Sequence, residues 1–203
     1  MKRLGLSSKS MKYLKILNAD FERKILDDFN QHKNNDLLVI VYNFIDILSH
    51  AKTDNVIVNQ LIRDDKTFRS LTYNWFENSS LIKIIKTAAE NGFKLVITTD
   101  HGTVYVKKPS KVVGDRETST NIRYKTGRSL TYENSDVWAI SNPEKLFLPK
   151  GNLSSKYIFA KNNIFLAYPK NYNHFVNYYK DTYQHGGISL EECIIPISIL
   201  EPK

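Results

Sequence analysis

The chain has 203 residues, of which 41% are hydrophobic and 25% charged, so it suits one globular domain and excludes a disordered chain. Its 29 Lys and Arg against 21 Asp and Glu give a formal charge of +8, which favours phosphoester, nucleic-acid or anionic-membrane partners, although singly scattered lysines also suit an ordinary solvated surface. The single cysteine, Cys193, excludes an internal disulfide and favours a reducing cytoplasm, and no apolar stretch approaches the roughly 20 residues that span a bilayer.

Apolar periodicity predicts helices that alternate with strands in the first half of the chain. We expect a helix over residues 20–31 capped by Asp20, a strand over 37–42, a long helix over 65–91 interrupted near 78–80, and a buried strand over 93–98. Gly92 is a natural stop for the long helix. A strand, a helix and a second strand in this order predict parallel strands and an α/β fold.

The second half is more irregular. Residues 107–128 are polar and contain Pro109, Gly114 and Gly127, which predicts an excursion outside the core. We expect an aromatic-rich segment of uncertain helical character over 171–180 and a last strand over 193–199 that buries Cys193. Three further strands are expected over residues 136–140, 156–160 and 164–168, the last two joined as a hairpin through 161–163. No internal repeat or boundary divides the sequence, so we expect one domain over residues 1–203.

An adjacent Asp100-His101 pair follows the apolar run at 93–97. In open α/β sheets, ligands bind outside the carboxyl ends of the strands, and Asp with His is a common ligand combination for a divalent cation. The alternative is a capped turn without a ligand. Asp46 and His50 follow the strand at 37–42, and their spacing of four would place both on one face of a helix. The alternative is an ordinary helix start, in which Asp46 is the cap and the His50 side chain only packs against its neighbours.

His185 is the third element, because Gly186 and Gly187 allow the backbone to turn sharply beside it. A loop histidine without a role is the alternative. Ser189 and Glu192 match a helix capping box, so we do not assign the neighbouring glutamates as ligands.

Together these residues resemble the PglZ domain of PorX-like response regulators, in the alkaline phosphatase superfamily. The resemblance covers about residues 20–200. The stretches that carry it are Tyr42–Asp46 with His50, Thr98–Gly102, Gly114–Arg116 with Thr120–Lys125, and Gln184–Ser189. It implies an alkaline-phosphatase-like, mostly parallel mixed sheet flanked by helices, and a cytoplasmic two-component signalling protein.

The resemblance also implies a chemistry. Two divalent ions flank the scissile phosphate in that superfamily, and by resemblance Asp46, His50 and His185 hold one ion while Asp100 and His101 contribute to the other. Mixed His and Asp ligation favours zinc, with manganese also acceptable. The implied activity is that of a metal-dependent phosphodiesterase on oligonucleotide-like substrates.

Basic residues are concentrated between Lys107 and Arg128. Arg116 and Arg123 are the candidates for binding the substrate phosphate, because a guanidinium donates to two oxygens at once. A solvated surface loop is the alternative.

The sequence departs from the family at its start. The superfamily's first metal-binding Asp and its Ser or Thr nucleophile are not matched, Ser7, Ser8 and Ser10 do not inherit that place, and no receiver domain is present. We therefore expect the C-terminal part of a catalytic domain, as a fragment or a diverged gene, weak or inactive alone, with a complementing N-terminal segment or a homodimer as partner.

Two other functions stay open. One is a non-catalytic signalling module that retains metal and phosphate binding. The other is a metal-free nucleic-acid binder that uses the basic segment and surface aromatic residues.

Overall fold

The computed structural model describes residues 8–115, 118–149 and 155–202. Within them the chain divides into two compact units, each described here by itself. The first unit comprises residues 8–51, 55–97 and 197–202, and the second comprises 52–54 and the described part of 98–196.

The first half of the chain is mainly helical and the second half is mainly strands. The strands are β1 (Met11–Ile16), β2 (Leu37–Tyr42), β3 (Leu95–Thr98), β4 (Val104–Val106), β5 (Lys108–Lys111), β6 (Tyr124–Gly127), β7 (Val137–Ile140), β8 (Lys156–Ala160), β9 (Ile164–Ala167), β10 (Thr182–Gln184) and β11 (Ile197–Leu200). The α-helices are α1 (Ala19–Asp27), α2 (Phe44–Asp54), α3 (Val56–Leu61), α4 (Asp65–Asn78), α5 (Ser80–Glu90), α6 (Tyr172–Tyr179) and α7 (Leu190–Cys193). Short 3-10 turns occupy Phe29–Gln31 and Pro143–Leu146. No described helix has the length and apolar character needed to cross a bilayer.

The first unit has a core between its first strands and two helices. β1 pairs parallel to β2 over their whole lengths, from Met11 opposite Leu37 to Ile16 opposite Tyr42. The buried residues of this core are Leu14, Ile16, Ile25, Phe29, Ile84 and Ala88. They come from β1, α1, the first 3-10 turn and α5, so the strand and both helices are held by one apolar cluster.

The helix boundaries confirm part of the prediction. α4 and α5 are separated at Ser79, as the interruption near 78–80 predicts, and Gly92 ends α5 with a φ of 76°. Asp20 was the wrong N-cap, because the side chain of Asn18 accepts a hydrogen bond from the Phe21 amide. Asn and Asp cap equally well, and Asn18 has the extended backbone that a cap requires.

β3 is more exposed than its apolar sequence predicts. Val96 is 58% exposed and Ile97 38% exposed, so the expectation of a buried strand is wrong for the described chain. β3 pairs with β11, whose residues are also exposed. A two-stranded sheet this narrow does not cover both of its faces.

The second unit contains parallel and antiparallel ladders. β4 pairs antiparallel with β10, and β5 pairs parallel with β9. β8 lies between β6 and β7 in an antiparallel three-stranded sheet. Because parallel and antiparallel pairs coexist with helices, the fold is mixed α/β, as the sequence predicts.

The predicted hairpin between residues 156–160 and 164–168 is wrong. Both segments form strands, but β8 and β9 belong to different sheets. β8 already has a neighbour on each edge, and β9 instead extends alongside β5. Cys193 was also assigned wrongly, since it is the last residue of α7 and is exposed.

The polar segment 107–128 is not an excursion. Among its described residues, Val112, Arg123 and Lys125 are at most 1% exposed, and β5 and β6 come from this stretch. Polar composition misled the prediction because the long polar side chains of Arg123 and Lys125 are buried with hydrogen-bond partners.

Lys125 shows how such burial is satisfied. Its Nζ donates to the carbonyls of Ser119 and Thr120, each at 3.1 Å, and lies 4.1 Å from the centre of the Tyr168 ring. Burial lowers the pKa of Lys125 to about 8. The carbonyls and the ring favour the ammonium form, so the cation ties the 119–120 backbone to β6 at neutral pH.

The titration of Lys125 predicts a pH dependence of stability. In the folded chain its pKa is lowered from 10.5 to about 8, so between these values the unfolded chain binds more protons and the free energy of unfolding rises with pH. Replacing Lys125 by Met removes this contribution. Urea unfolding of both proteins across that pH range should show a shallower rise in the variant, and identical pH profiles would contradict the assignment.

Candidate functional site

The Asp100-His101 pair lies in the short irregular segment between β3 and β4. The Thr99 hydroxyl donates to the carbonyl of His101 at 2.9 Å, and the His101 amide donates to the Asp100 carboxylate at 3.1 Å. The Thr98 hydroxyl donates to the Pro196 carbonyl at 2.9 Å. These local bonds fix the backbone just after the strand end, where the sequence predicted a ligand pair.

The ring of His101 has a defined hydrogen-bond direction. Its Nδ1 lies 3.0 Å from the carbonyl oxygen of Gly102. A carbonyl only accepts, so Nδ1 carries the proton and the lone pair of the neutral ring is on Nε2. A histidine held through its other nitrogen in this way is typical of metal ligands.

The Asp100 carboxylate lies beside that lone pair. Its Oδ1 is 3.7 Å from His101 Nε2, and the Asp100 side chain is 88% exposed. A carboxylate oxygen and a nitrogen lone pair repel each other unless a proton or a cation lies between them. Asp100 and His101 thus place a carboxylate oxygen and an imidazole nitrogen side by side, and both are atoms that can bind a divalent ion.

His185 lies against His101 because β4 and β10 pair antiparallel. Gln184 is opposite Val104 in that ladder, so the residue after β10 meets the turn before β4. The two imidazole rings stack with their centres 4.0 Å apart and their planes inclined by 16°. One ring nitrogen of each lies within 4.8 Å of the other. The ladder thus joins two histidines that are distant in sequence.

The stacking favours one ion for each ring over a single shared ion. The lone pair of an imidazole nitrogen lies in the ring plane, and nearly parallel planes do not meet near the rings. One ion cannot then lie in both planes at a Zn–N distance of about 2.0–2.1 Å.

Glu192 holds the loop that follows His185. Its carboxylate accepts from the Gly187 amide at 2.9 Å and from the Ser189 amide at 3.1 Å. The Ser189–Glu192 capping box is present, as the sequence predicts. The Glu192 backbone carbonyl also accepts from the Gly102 amide at 2.9 Å, so one residue fixes both histidine loops.

Arg123 completes this network from the other side. Its Nε and Nη2 each donate to one carboxylate oxygen of Glu192 at 2.8 Å, in a bidentate ion pair in which both side chains are at most 1% exposed. Its guanidinium also donates to the carbonyls of Ala160 and Ile164. Burial alone raises the pKa of Glu192, but the hydrogen bonds and charge of Arg123 hold that pKa below its ordinary value.

The glycines beside the histidines fit closely against this network. A Cβ on Gly187 would lie 2.6 Å from a Glu192 carboxylate oxygen, and one on Gly102 would overlap the Glu191 carbonyl. Gly186 has a φ of 100°, and a Cβ there would lie 2.9 Å from the Asn121 amide nitrogen. A side chain at Gly102 would therefore displace backbone, whereas one at Gly187 would displace side-chain atoms of the ion pair and one at Gly186 would also be strained by its positive φ.

The predicted phosphate ligands have different outcomes. Arg123 is buried and engaged with Glu192 and two carbonyls, so the structure gives it a positioning role and we no longer assign it to substrate phosphate. Arg116 lies outside the described residues. Sequence reasoning missed the Arg123–Glu192 pair, because the capping box explains Glu192 locally and nothing in the sequence links it to Arg123.

Asp46 and His50 lie together on α2. The helix begins after Asn43, so Asp46 is not its N-cap. His50 Nε2 is 3.4 Å from Asp46 Oδ1, and the two side chains are 50% and 42% exposed. The spacing of four therefore places both on one helix face, as predicted. Their convergence with His185 on one ion stays a prediction.

The buried pair predicts a large stability effect at Glu192. Replacing Glu192 by Gln leaves the Arg123 guanidinium buried without a counter-charge, which should lower the free energy of unfolding by about 3–5 kcal/mol. Urea denaturation measures this. The matched control is Glu191→Gln, at an exposed neighbour, which should change stability by less than about 0.5 kcal/mol.

A second variant separates stability from positioning. The double change Arg123→Met with Glu192→Leu removes both charges and should recover part of the stability. It still lacks acceptors for the Gly187 and Ser189 amides, so the imidazole NMR signals of His185 should remain shifted. Wild-type signals in the double variant would show that the pair does not position His185.

Comparison with known proteins gives one clear finding. The family described as the BREX system PglZ alkaline phosphatase-like domain matches residues 2–199. No curated protein matches the chain. The match spans nearly the whole sequence and agrees with the mixed α/β fold and with the Asp and His residues that follow its strands. The chain therefore belongs to the PglZ alkaline phosphatase-like domain family.

Proposed function

We propose that this chain is a metal-dependent phosphohydrolase module that acts on phosphodiesters of the oligonucleotide type. The observation that carries the proposal is the Asp100–His101–His185 arrangement, in which a carboxylate lies beside an Nε2 lone pair and a second imidazole stacks on the first. Such a set of donors suits divalent metal ions, and membership of an alkaline phosphatase-like family supports the same reaction class.

The residues of the chain fit two ions. We propose that Asp100 and His101 contribute to one ion, and that His185 with Asp46 and His50 binds the other, as the family resemblance implies. Three protein ligands with an open position are usual for a catalytic zinc. When bound, the two ions polarise the attacking oxygen and neutralise the leaving oxygen. The imidazole ligands favour zinc over magnesium, and manganese is the second choice.

Neighbouring residues orient these ligands. The Gly102 carbonyl keeps the proton on His101 Nδ1, so Nε2 is ready to coordinate. The Glu192 carboxylate fixes the turn after His185, and Arg123 keeps that carboxylate ionised. Arg116 stays the candidate for contacting the substrate phosphate. Among these residues only Asp100, His101, His185, Asp46 and His50 are proposed to touch a metal ion.

The superfamily's reaction uses a Ser or Thr hydroxyl as its nucleophile. Ser10 does not suit the role, because its hydroxyl and amide both donate to the Asp36 carboxylate at the amino ends of β1 and β2. The hydrogen bond from the Ser10 amide lowers the pKa of Asp36 to about 2. We propose that a complementing segment or a homodimer partner supplies the nucleophile and the unmatched metal-binding carboxylate. We also propose that the chain acts in a cytoplasmic, PorX-like signalling protein. The alternative is a signalling module that binds metal and phosphate without turnover.

Metal binding is expected to depend unequally on the ligands. His50→Ala should lower bound zinc more than Asp100→Ala, because the first removes one of three proposed ligands and the second affects a site with only two. Equilibrium dialysis followed by elemental analysis measures this. The matched control is His174→Ala, an exposed histidine on α6 that should leave zinc binding unchanged. The reverse ranking of His50 and Asp100 would contradict the two-site assignment.

Turnover by this chain alone is expected to be weak. With zinc or manganese added, hydrolysis of bis-p-nitrophenyl phosphate should be slow, since no hydroxyl has been matched to the nucleophile. Adding the N-terminal portion of a PglZ domain in trans should increase the rate. Strong turnover that survives simultaneous replacement of Ser7, Ser8 and Ser10 would contradict the inherited mechanism and favour a metal-activated water.

A further inference from the structure

The three-stranded sheet β6–β8–β7 carries aromatic rings on one face. Tyr124, Phe159 and Trp138 lie directly opposite one another across the three strands. Tyr157 is two residues before Phe159 and so lies on the same face. We call these four residues the aromatic face. Its neighbouring ring centres are 6.0–6.4 Å apart and their planes are inclined by 14–37°.

The opposite face of the same sheet is apolar and buried. Val137, Ile158 and Ala160 point into an apolar cluster with residues of β9. That alternation buries aliphatic side chains and directs the aromatic face outward. Trp138 is 46% exposed, and the other three rings are half-buried. A group of contacting aromatic side chains left at the surface marks a site of interaction.

Phe147 adds a fifth ring near this face. It is 97% exposed and has a φ of 57°, a backbone conformation that a bulky residue rarely adopts. The carbonyl of Pro149, two residues further on, accepts from the Tyr157 hydroxyl at 2.7 Å. The loop that carries Phe147 is therefore attached to the aromatic face.

We propose that the aromatic face, with Phe147 at its edge, binds the unstacked bases of a single-stranded oligonucleotide. Rows of exposed rings on a β-sheet are suited to stacking with bases, and single strands leave the faces of their bases accessible. The charge of the chain agrees, since it is +8 overall, and the exposed Lys145 and Lys156 belong to the segments that adjoin β7 and begin β8. A neutral carbohydrate would also stack on aromatic rings but gains nothing from this positive charge.

Base stacking on the aromatic face and hydrolysis at the metal site can be tested separately. As a binding site, the aromatic face needs no metal ion. As an assignment of the substrate class, it rests on the proposed function. Binding measured in the presence of a chelator therefore tests the face alone, while zinc content and hydrolysis test the proposed active site.

The experiment is fluorescence anisotropy with a labelled oligodeoxythymidylate of about a dozen nucleotides, titrated with the full chain in EDTA. Trp138→Ala should weaken binding by about tenfold, because a stacking contact with a base is lost. Phe147→Ala, on an exposed loop, should weaken binding without affecting the fold. The matched control is Tyr73→Ala, a 63% exposed aromatic residue on α4, which should leave binding unchanged.

A matched ligand distinguishes stacking from charge alone. An abasic oligonucleotide of equal length carries the same phosphates without bases, and it should bind much more weakly than the thymidylate. Equal binding of the two ligands, no binding of the thymidylate, or equal loss in Tyr73→Ala and Trp138→Ala would each overturn the proposal. Circular dichroism confirms that each variant is folded before it is compared.

Discussion

The buried ion pair between Arg123 and Glu192 is the interaction on which the candidate site depends. Removing two charges from water is costly, and the hydrogen bonds that both side chains make offset this cost. Glu192 accepts from Arg123, Gly187 and Ser189, and Arg123 donates further to the carbonyls of Ala160 and Ile164. The same glutamate receives the Gly102 amide on its backbone carbonyl. This one residue therefore bonds to the loops of both His101 and His185, which the β4–β10 ladder brings together.

Local signals in the sequence predicted much of the fold. The strand at 37–42 and the strand at 156–160 were predicted to the residue, because apolar and β-branched residues mark them clearly. The short helix before the last strand followed from the Ser189–Glu192 capping box, and the separation of α4 from α5 followed from the polar residues near Ser79. The candidate ligands were found because Asp and His recur just after strand ends, and that pattern depends only on chain order.

What the sequence could not show depends on contacts between distant residues. Arg123 and Lys125 are among the most polar residue types, so their composition predicted a solvent-exposed segment, whereas each is buried with partners far along the chain or across a turn. The hairpin failed for a similar reason, since nothing in residues 156–168 reveals that both edges of β8 are occupied by β6 and β7. Cys193 looked buried from its apolar neighbours, yet α7 is too short to bury every side.

Strand β6 connects the candidate metal site to the aromatic face. The Arg123 carbonyl accepts from the Ala160 amide at 2.8 Å, so Arg123 extends the ladder between β6 and β8. Side chains alternate along a strand, and here Arg123 and Lys125 point inward while Tyr124 between them points outward. A shift in register of one residue would reverse all three. It would expose the guanidinium, remove the partner of Glu192 and bury the tyrosine ring. The inward ion pair thus also fixes which residues β6 presents to solvent, and a ligand stacked on Tyr124 would be held one residue away from the arginine that positions both histidine loops.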